Sequence, residues 1–180
     1  PLGREEQRRG HDLPGIIRDA RGSVYHPHTG ETVPLGTLNV ETYTRPAWTF
    51  NKVLFIEKEG FFEVLKADGW PERHDCALVT SKGQATRAAK DLLDLLGDSG
   101  EPVTVYALHD ADAAGTVIVE ALVEATLARP RRRVEVVNLG LEPSEAIEMG
   151  LDVENIEEKG RRRPVASYVT DEWAEWFQRR

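Results

Sequence analysis

From Asn51 onward, apolar runs of strand length alternate with apolar positions at helical spacing, and two of the runs end in acid. Val53-Leu54-Phe55-Ile56 leads into Glu57, and Val105-Tyr106-Ala107-Leu108 leads through His109 into Asp110-Ala111-Asp112. The pattern predicts strands over Lys52–Ile56, Ala77–Thr80, Val103–Leu108 and Val134–Leu139. Between them lie an apolar face at Phe61, Val64 and Leu65, and a helix whose Ala89, Leu92, Leu93 and Leu96 form one stripe ended by Gly97. After Gly115 comes a helix with Ile118, Ala121, Leu122 and Ala125 on one side. Strands alternating with helices require right-handed crossovers, hence an α/β, Rossmann-like fold with a central parallel sheet flanked by helices.

The flanks read differently. Residues 1–50 form a loop-rich lead-in dominated by turn formers, with short hairpin strands expected near Gly22–Tyr25 and Glu31–Pro34. Its opening Pro1-Leu2-Gly3, without an initiator methionine, resembles the remnant of a cleaved purification tag, so the natural protein is expected to be longer. The core is assigned to 51–140. A helical extension over 141–180 follows, with short helices at Pro143–Met149 and Val153–Lys159 and a last helix capped by Thr170 that carries Trp173, Trp176 and Phe177. Those aromatics are expected to pack on the domain.

The single cysteine, Cys76, sits in an apolar run, which excludes a disulfide framework and points to a buried, inert thiol in a reducing compartment. No apolar stretch approaches the ~20 residues needed to span a bilayer and no signal-peptide pattern is present, so a cytoplasmic setting is expected. The net charge of -8 opposes a simple nucleic-acid binder. Against it stand the basic runs Arg129-Pro130-Arg131-Arg132-Arg133 and Arg161-Arg162-Arg163, and the masking of carboxylates that a metal would provide.

In a parallel sheet, functional groups gather at the carboxyl ends of the strands, so Glu57, Asp110 and Asp112 can meet although about fifty residues separate them. Hard oxygen donors on a rigid edge suit Mg²⁺, which keeps waters and sits between carboxylates and a phosphate. A phosphodiester, DNA above all, is the expected substrate. Other readings of Asp110–Gly115 compete. An EF-hand loop fails because Ala114 and Ala121 stand where it needs oxygen ligands, and a phosphatase nucleophile loop normally follows the first strand, not the third. Simple capping of the next helix accounts for an aspartate but not for Glu57 as well. His26 and His28 lack the neighbours of a zinc site, and His109 reads as a hydrogen-bonded core or supporting residue.

Taken together, these residues resemble the Toprim domain, with a glutamate after the first strand and Asp-x-Asp after the third. The wording is similar to the A subunit of topoisomerase VI and the related meiotic double-strand-break proteins. It runs through Phe55-Ile56-Glu57-Lys58 with Phe62 and Leu65, Val79-Thr80-Ser81-Lys82-Gly83, Thr86-Arg87, Asp110-Ala111-Asp112 with Gly115, Leu139-Gly140-Leu141-Glu142-Pro143-Ser144, and Gly150-Leu151. The resemblance covers about Asn51 to Arg180 and departs at Ala113, where the family often has proline.

The resemblance implies a metal site of Glu57, Asp110 and Asp112 holding Mg²⁺ or Mn²⁺, with Glu57 as the catalytic group and Lys58, Lys82 and Arg87 as DNA contacts. It also implies a homodimer and an ATPase B-type subunit for the full-length parent. The family cleaves DNA with a tyrosine on an upstream winged-helix domain. Tyr25 and Tyr43 lie too near Glu57 for that role, so the cleaving tyrosine is expected outside this chain. The alternatives are a stand-alone metal-dependent Toprim nuclease and a non-catalytic DNA-binding or dimerisation module.

Overall fold

The computed structural model describes residues 5, 8, 9, 15–47, 50–81, 87–98, 100, 102–125, 134–153 and 163–179. Its strands are β1 (Ser23–Tyr25), β2 (Thr32–Pro34), β3 (Lys52–Ile56), β4 (Cys76–Thr80), β5 (Thr104–Leu108) and β6 (Glu135–Asn138). Its helices are α1 (Thr37–Glu41), α2 (Glu59–Ala67), α3 (Trp70–His74), α4 (Arg87–Gly97), α5 (Ala113–Val123), α6 (Pro143–Glu148) and α7 (Asp171–Arg179). The strands form one sheet in the order β2-β1-β4-β3-β5-β6.

β4, β3, β5 and β6 are mutually parallel, as the strand–helix alternation requires. The lead-in adds two antiparallel strands to that core. β1 pairs with β2 as the expected hairpin and then lies antiparallel along β4, Val24 opposite Val79, so the whole sheet is mixed.

Burial explains the sequence patterns. In β3, Val53 to Ile56 are all buried, and so is every residue of β4, because both strands are covered on two faces and therefore read as unbroken apolar runs. One face packs Val53, Phe55, Ala77, Val79, Val105 and Ala107 against Ala89, Leu92, Leu93 and Leu96 of α4 and Ile118, Val119 and Leu122 of α5. The other packs Leu54, Ile56 and Leu78 against Phe62 of α2. β5 alternates between buried and half-buried residues, since α2 and α3 cover its second face only in part.

Two helical expectations need adjustment. In α2 it is Phe62 that is buried, while Phe61 and Val64 are 44% and 60% exposed. The stripe that meets Leu54 and Ile56 is Phe62 with Leu65, so the i, i+3 pair that faces the sheet is displaced by one residue from the one expected. α5 begins at Ala113, before Gly115, and buries Gly115, Thr116, Ile118, Val119 and Leu122; Ala125 lies beyond its end. The expected helix at Val153–Lys159 falls largely outside the described residues, as do Arg129–Arg133 and Arg161-Arg162.

In the final segment Phe177 is buried and Trp173 and Trp176 are half-buried, with Trp176 edge-on to both neighbouring rings. The backbone before α7 is tied to α5: the Ala166 N–H donates to Thr116 Oγ1 at 3.1 Å and the Ser167 N–H to Glu120 Oε1 at 2.8 Å. The Cys76 thiol is buried, and burial pushes its pKa up to about 12, so it is inert at neutral pH.

The lead-in also buries a histidine. His26 is 1% exposed, its Nε2 lies 2.8 Å from Tyr43 Oη, and its ring stacks near Phe50. Among the described residues Nδ1 has no hydrogen-bond partner, the Glu31 carboxylate standing 3.6 Å away. Burial lowers the pKa of His26 from 6.5, outweighing the opposite pull of Glu31. The unfolded chain therefore binds a proton there that the folded chain refuses, and folding stability decreases as pH falls below about 6.5. Urea unfolding at pH 7.5 and 5.5 is expected to show this loss in the wild type and a smaller one in His26→Gln; an equal slope in both would assign the loss to other groups.

Candidate functional site

Glu57 and the Asp110–Asp112 turn follow directly from neighbouring parallel strands. Ile56 and Leu108 are in register, and the Glu57 N–H continues the ladder by donating to Leu108 O at 3.2 Å. The two acidic segments thus leave the sheet side by side at its carboxyl edge. Glu57 is buried, and its Oε2 accepts the Asp110 N–H at 3.3 Å, so the glutamate itself holds the aspartate turn.

Each aspartate has a distinct engagement. Asp110 Oδ2 lies 2.8 Å from the Nζ of Lys58, and both side chains are open to solvent. Lys58 is held above the usual lysine pKa, first by its hydrogen bond to Asp110, which outweighs the desolvation that opposes it, and then by the charges of Asp110, Glu57 and Asp112. Asp112 is the N-cap of α5, its Oδ1 accepting the Gly115 N–H at 2.7 Å. The capping reading is therefore correct for Asp112, and leaves Glu57 and Asp110 to be explained.

A supporting network lies behind the turn. His109 is buried; its Nδ1 is 2.8 Å from the Asp110 carbonyl oxygen and its Nε2 is 3.0 Å from Asn138 Oδ1. The Asn138 amide orientation is fixed from two sides, since Oδ1 accepts the Gly140 N–H at 2.9 Å and Nδ2 donates to Glu142 Oε1 at 2.6 Å. Glu142 caps α6 through a reciprocal capping box with Glu145. Beyond β6 the ladder continues, Leu139 N–H to Ala107 O, His109 N–H to Gly140 O and Leu141 N–H to His109 O. Asn138 and Glu142 are the supporting residues that sequence reasoning missed; the one signal was a polar residue ending an apolar strand just before Gly140-Leu141-Glu142-Pro143.

Of the expected DNA contacts, Lys58 is at the acidic turn. Arg87 opens α4, and its Nε lies 3.4 Å from Asp91 Oδ2 on the same helix. Lys82 lies outside the described residues. Tyr25 donates its hydroxyl to Glu72 Oε1 at 2.7 Å, which with burial raises its pKa to about 12, and burial also raises that of Tyr43. Neither is poised as a nucleophile.

The turn separates two clefts. One of about 290 Å³ is lined by Glu57, Lys58, Phe61, His109 and Asp110. The other, of about 550 Å³, runs from Asp110 and Asp112 to Arg163 and Trp176. Among the described residues, no three His, Cys, Asp or Glu side chains come together closely enough to hold a metal ion unaided. An all-oxygen donor set of one or two carboxylates beside an open cleft nevertheless suits Mg²⁺, which completes its shell with water and substrate phosphate rather than with a protein cage. The ammonium of Lys58 shows that the cluster accommodates a cation.

The family model for the Toprim domain of Spo11 and the topoisomerase 6 A subunit matches residues 52–178. The chain belongs to this family. Curated relatives include the A subunit of type 2 DNA topoisomerase 6 from Methanosarcina acetivorans, 27% identical over 138 residues that cover 72% of this chain and 35% of the relative. The corresponding protein of Methanosarcina barkeri is 26% identical over 138 residues, covering 72% and 36%. The chain thus spans about a third of the length of these relatives. No helix among the described residues of this Toprim chain is long and apolar enough to cross a membrane.

Proposed function

We propose that this Toprim domain binds Mg²⁺, or Mn²⁺ in its place, through Glu57 and Asp110, with Asp112 completing the site partly through water. On this reading it assists the cleavage and religation of DNA by a tyrosine carried outside this chain. The observation that carries the proposal is the meeting of Glu57 and Asp110 at the ends of adjacent parallel strands, the glutamate oxygen on the aspartate N–H. A divalent ion bound there would stabilise charge developing on a phosphate and its leaving oxygen. Glu57 holds the aspartate turn and is the nearest candidate to pass a proton during religation. Lys58 offers the DNA backbone a point charge, with Arg87 and Lys82 as further phosphate contacts. The working unit is residues 51–140, with 1–50 and 141–180 as additions to it. The parent protein is cytoplasmic and DNA-associated, acts as a homodimer across two strands, and works with an ATPase B-type subunit.

Calorimetric titration of Mg²⁺ and Mn²⁺ tests the site. Glu57→Gln and Asp110→Asn are each expected to weaken metal binding about tenfold or more while the fold persists, because the carboxylates repel one another when no metal is bound. Unchanged affinity in both variants removes the proposal. A supercoiled-DNA nicking assay on the same samples separates the roles: metal binding without nicking fits a domain that works with an external tyrosine, whereas nicking that Glu57→Gln abolishes identifies a self-sufficient nuclease.

A further inference from the structure

Lys58 directly follows one proposed ligand in sequence and directly contacts another in space, at 2.8 Å from Asp110 Oδ2. Its backbone is fixed at the junction of β3 and α2, where its carbonyl accepts the Phe61 and Phe62 N–H groups at 3.1 and 3.3 Å. Its side chain is not fixed in the same way. Lys58 and Asp110 are 59% and 50% exposed at the side chain, so the bridge between them is solvent-screened and cheap to exchange. The long flexible stem lets the ammonium turn while the backbone stays in place. A divalent ion and an ammonium cannot both occupy Asp110 without strong repulsion at contact distance.

We infer that Lys58 is an exchangeable internal counter-ion: a metal ion arriving at Asp110 displaces the ammonium, which turns into the adjoining cleft and takes a DNA phosphate. The inference rests on the metal and DNA reading above and adds a coupling to it. With the ammonium on Asp110, the site is partly neutralised and its main cation is withheld from DNA. With metal bound, the same charge is released to the phosphate backbone. Metal and DNA then favour one another through Lys58, and linkage makes the effect reciprocal.

The exchange predicts effects of opposite sign from one substitution. Lys58→Met, which keeps the stem length and removes the charge, should bind Mn²⁺ about two- to fivefold more tightly in the absence of DNA, because its competitor is gone. The same variant should bind duplex DNA more weakly, with a salt-dependence slope reduced by about one. The enhancement of DNA affinity by Mn²⁺ should also shrink. Lys58→Arg should restore the salt slope. Calorimetry with Mn²⁺ and fluorescence anisotropy with a labelled duplex, each on the wild type, Lys58→Met, Lys58→Arg and Glu57→Gln, provide the readouts.

Tighter Mn²⁺ binding by Lys58→Met together with a smaller metal effect on DNA supports the exchange. Equal or weaker Mn²⁺ binding by a folded Lys58→Met overturns it, even where DNA binding drops, since Lys58 is then a plain phosphate contact or a structural residue. Wild-type protein that binds no Mn²⁺ with or without DNA overturns the metal reading itself, and the exchange with it.

Discussion

Gly115→Ala is expected to lower stability by about 2 kcal/mol and to weaken the acidic site with it. A methyl group built on Gly115 would lie 2.3 Å from the Asp110 carbonyl oxygen and 2.5 Å from His109 Nδ1. Those two atoms lie 2.8 Å apart, so the methyl group would enter a close contact at the turn. Overpacking of this kind costs about 1–3 kcal/mol. Alanine would regain up to about 1 kcal/mol of helix propensity, but the obstacle is backbone and a buried ring rather than a flexible side-chain tip. For a chain of this size the net loss corresponds to a Tm lower by roughly 4–8 °C. Thermal unfolding and Mn²⁺ titration of the same sample check it: a metal site at the turn requires affinity to fall as well, because the displaced carbonyl belongs to Asp110. A Gly115→Ala protein with unchanged or raised Tm would show that the close approach of α5 to the turn is absent in solution.

Gly22→Ala should cost more, about 3 kcal/mol. Gly22 has φ +87, a conformation that costs an L side chain about 1–2 kcal/mol, and its added methyl would fall 1.8 Å from Thr80 O. Backbone meets backbone there, so relief requires the lead-in to move. Gly22 also accepts the Leu35 N–H at 3.0 Å, which joins the two ends of the hairpin. The expected outcome is release of β1 and β2 from β4 ahead of global unfolding. Amide exchange would read this as faster exchange at Val24 and Tyr25 with little change at Phe55 and Val105, residues of the central strands. Uniform acceleration throughout would mean instead that the hairpin and the parallel strands unfold as one unit.

The acidic residues are legible in the sequence because strand-length apolar runs have two readable ends, and carboxylates at those ends are conspicuous. What the pattern cannot show is which strands are neighbours. Glu57 meets Asp110 only because β3 and β5 are adjacent, and β4, which lies between them in the chain, sits on the other side of β3. The different tasks of the two aspartates are equally hidden: spacing alone does not tell which carboxylate turns back to cap α5 and which faces outward to Lys58. The Asn138–His109 link joins a residue of β6 to one just past β5, and only the register of those two strands brings them together.

Helix faces mark the same boundary. The stripe of α4 is readable from spacing, since Ala89, Leu92, Leu93 and Leu96 fall on one side and charged residues fill the other. α2 offers Phe61, Phe62, Val64 and Leu65 at once, and periodicity cannot choose among them. The direction in which the chain leaves β3 makes that choice.

Local chemistry, then, specified strand and helix alternation, the inert cysteine, the hairpin turns and the positions of the acids, because each depends on backbone preference and on burial averaged over a few residues. Strand order, the antiparallel attachment of β1 to β4, the pairing of Lys58 with Asp110 and the closeness of α5 to the acidic turn came only from the tertiary structure. These depend on contacts that the course of the chain in space creates, where close packing admits one arrangement and excludes the rest.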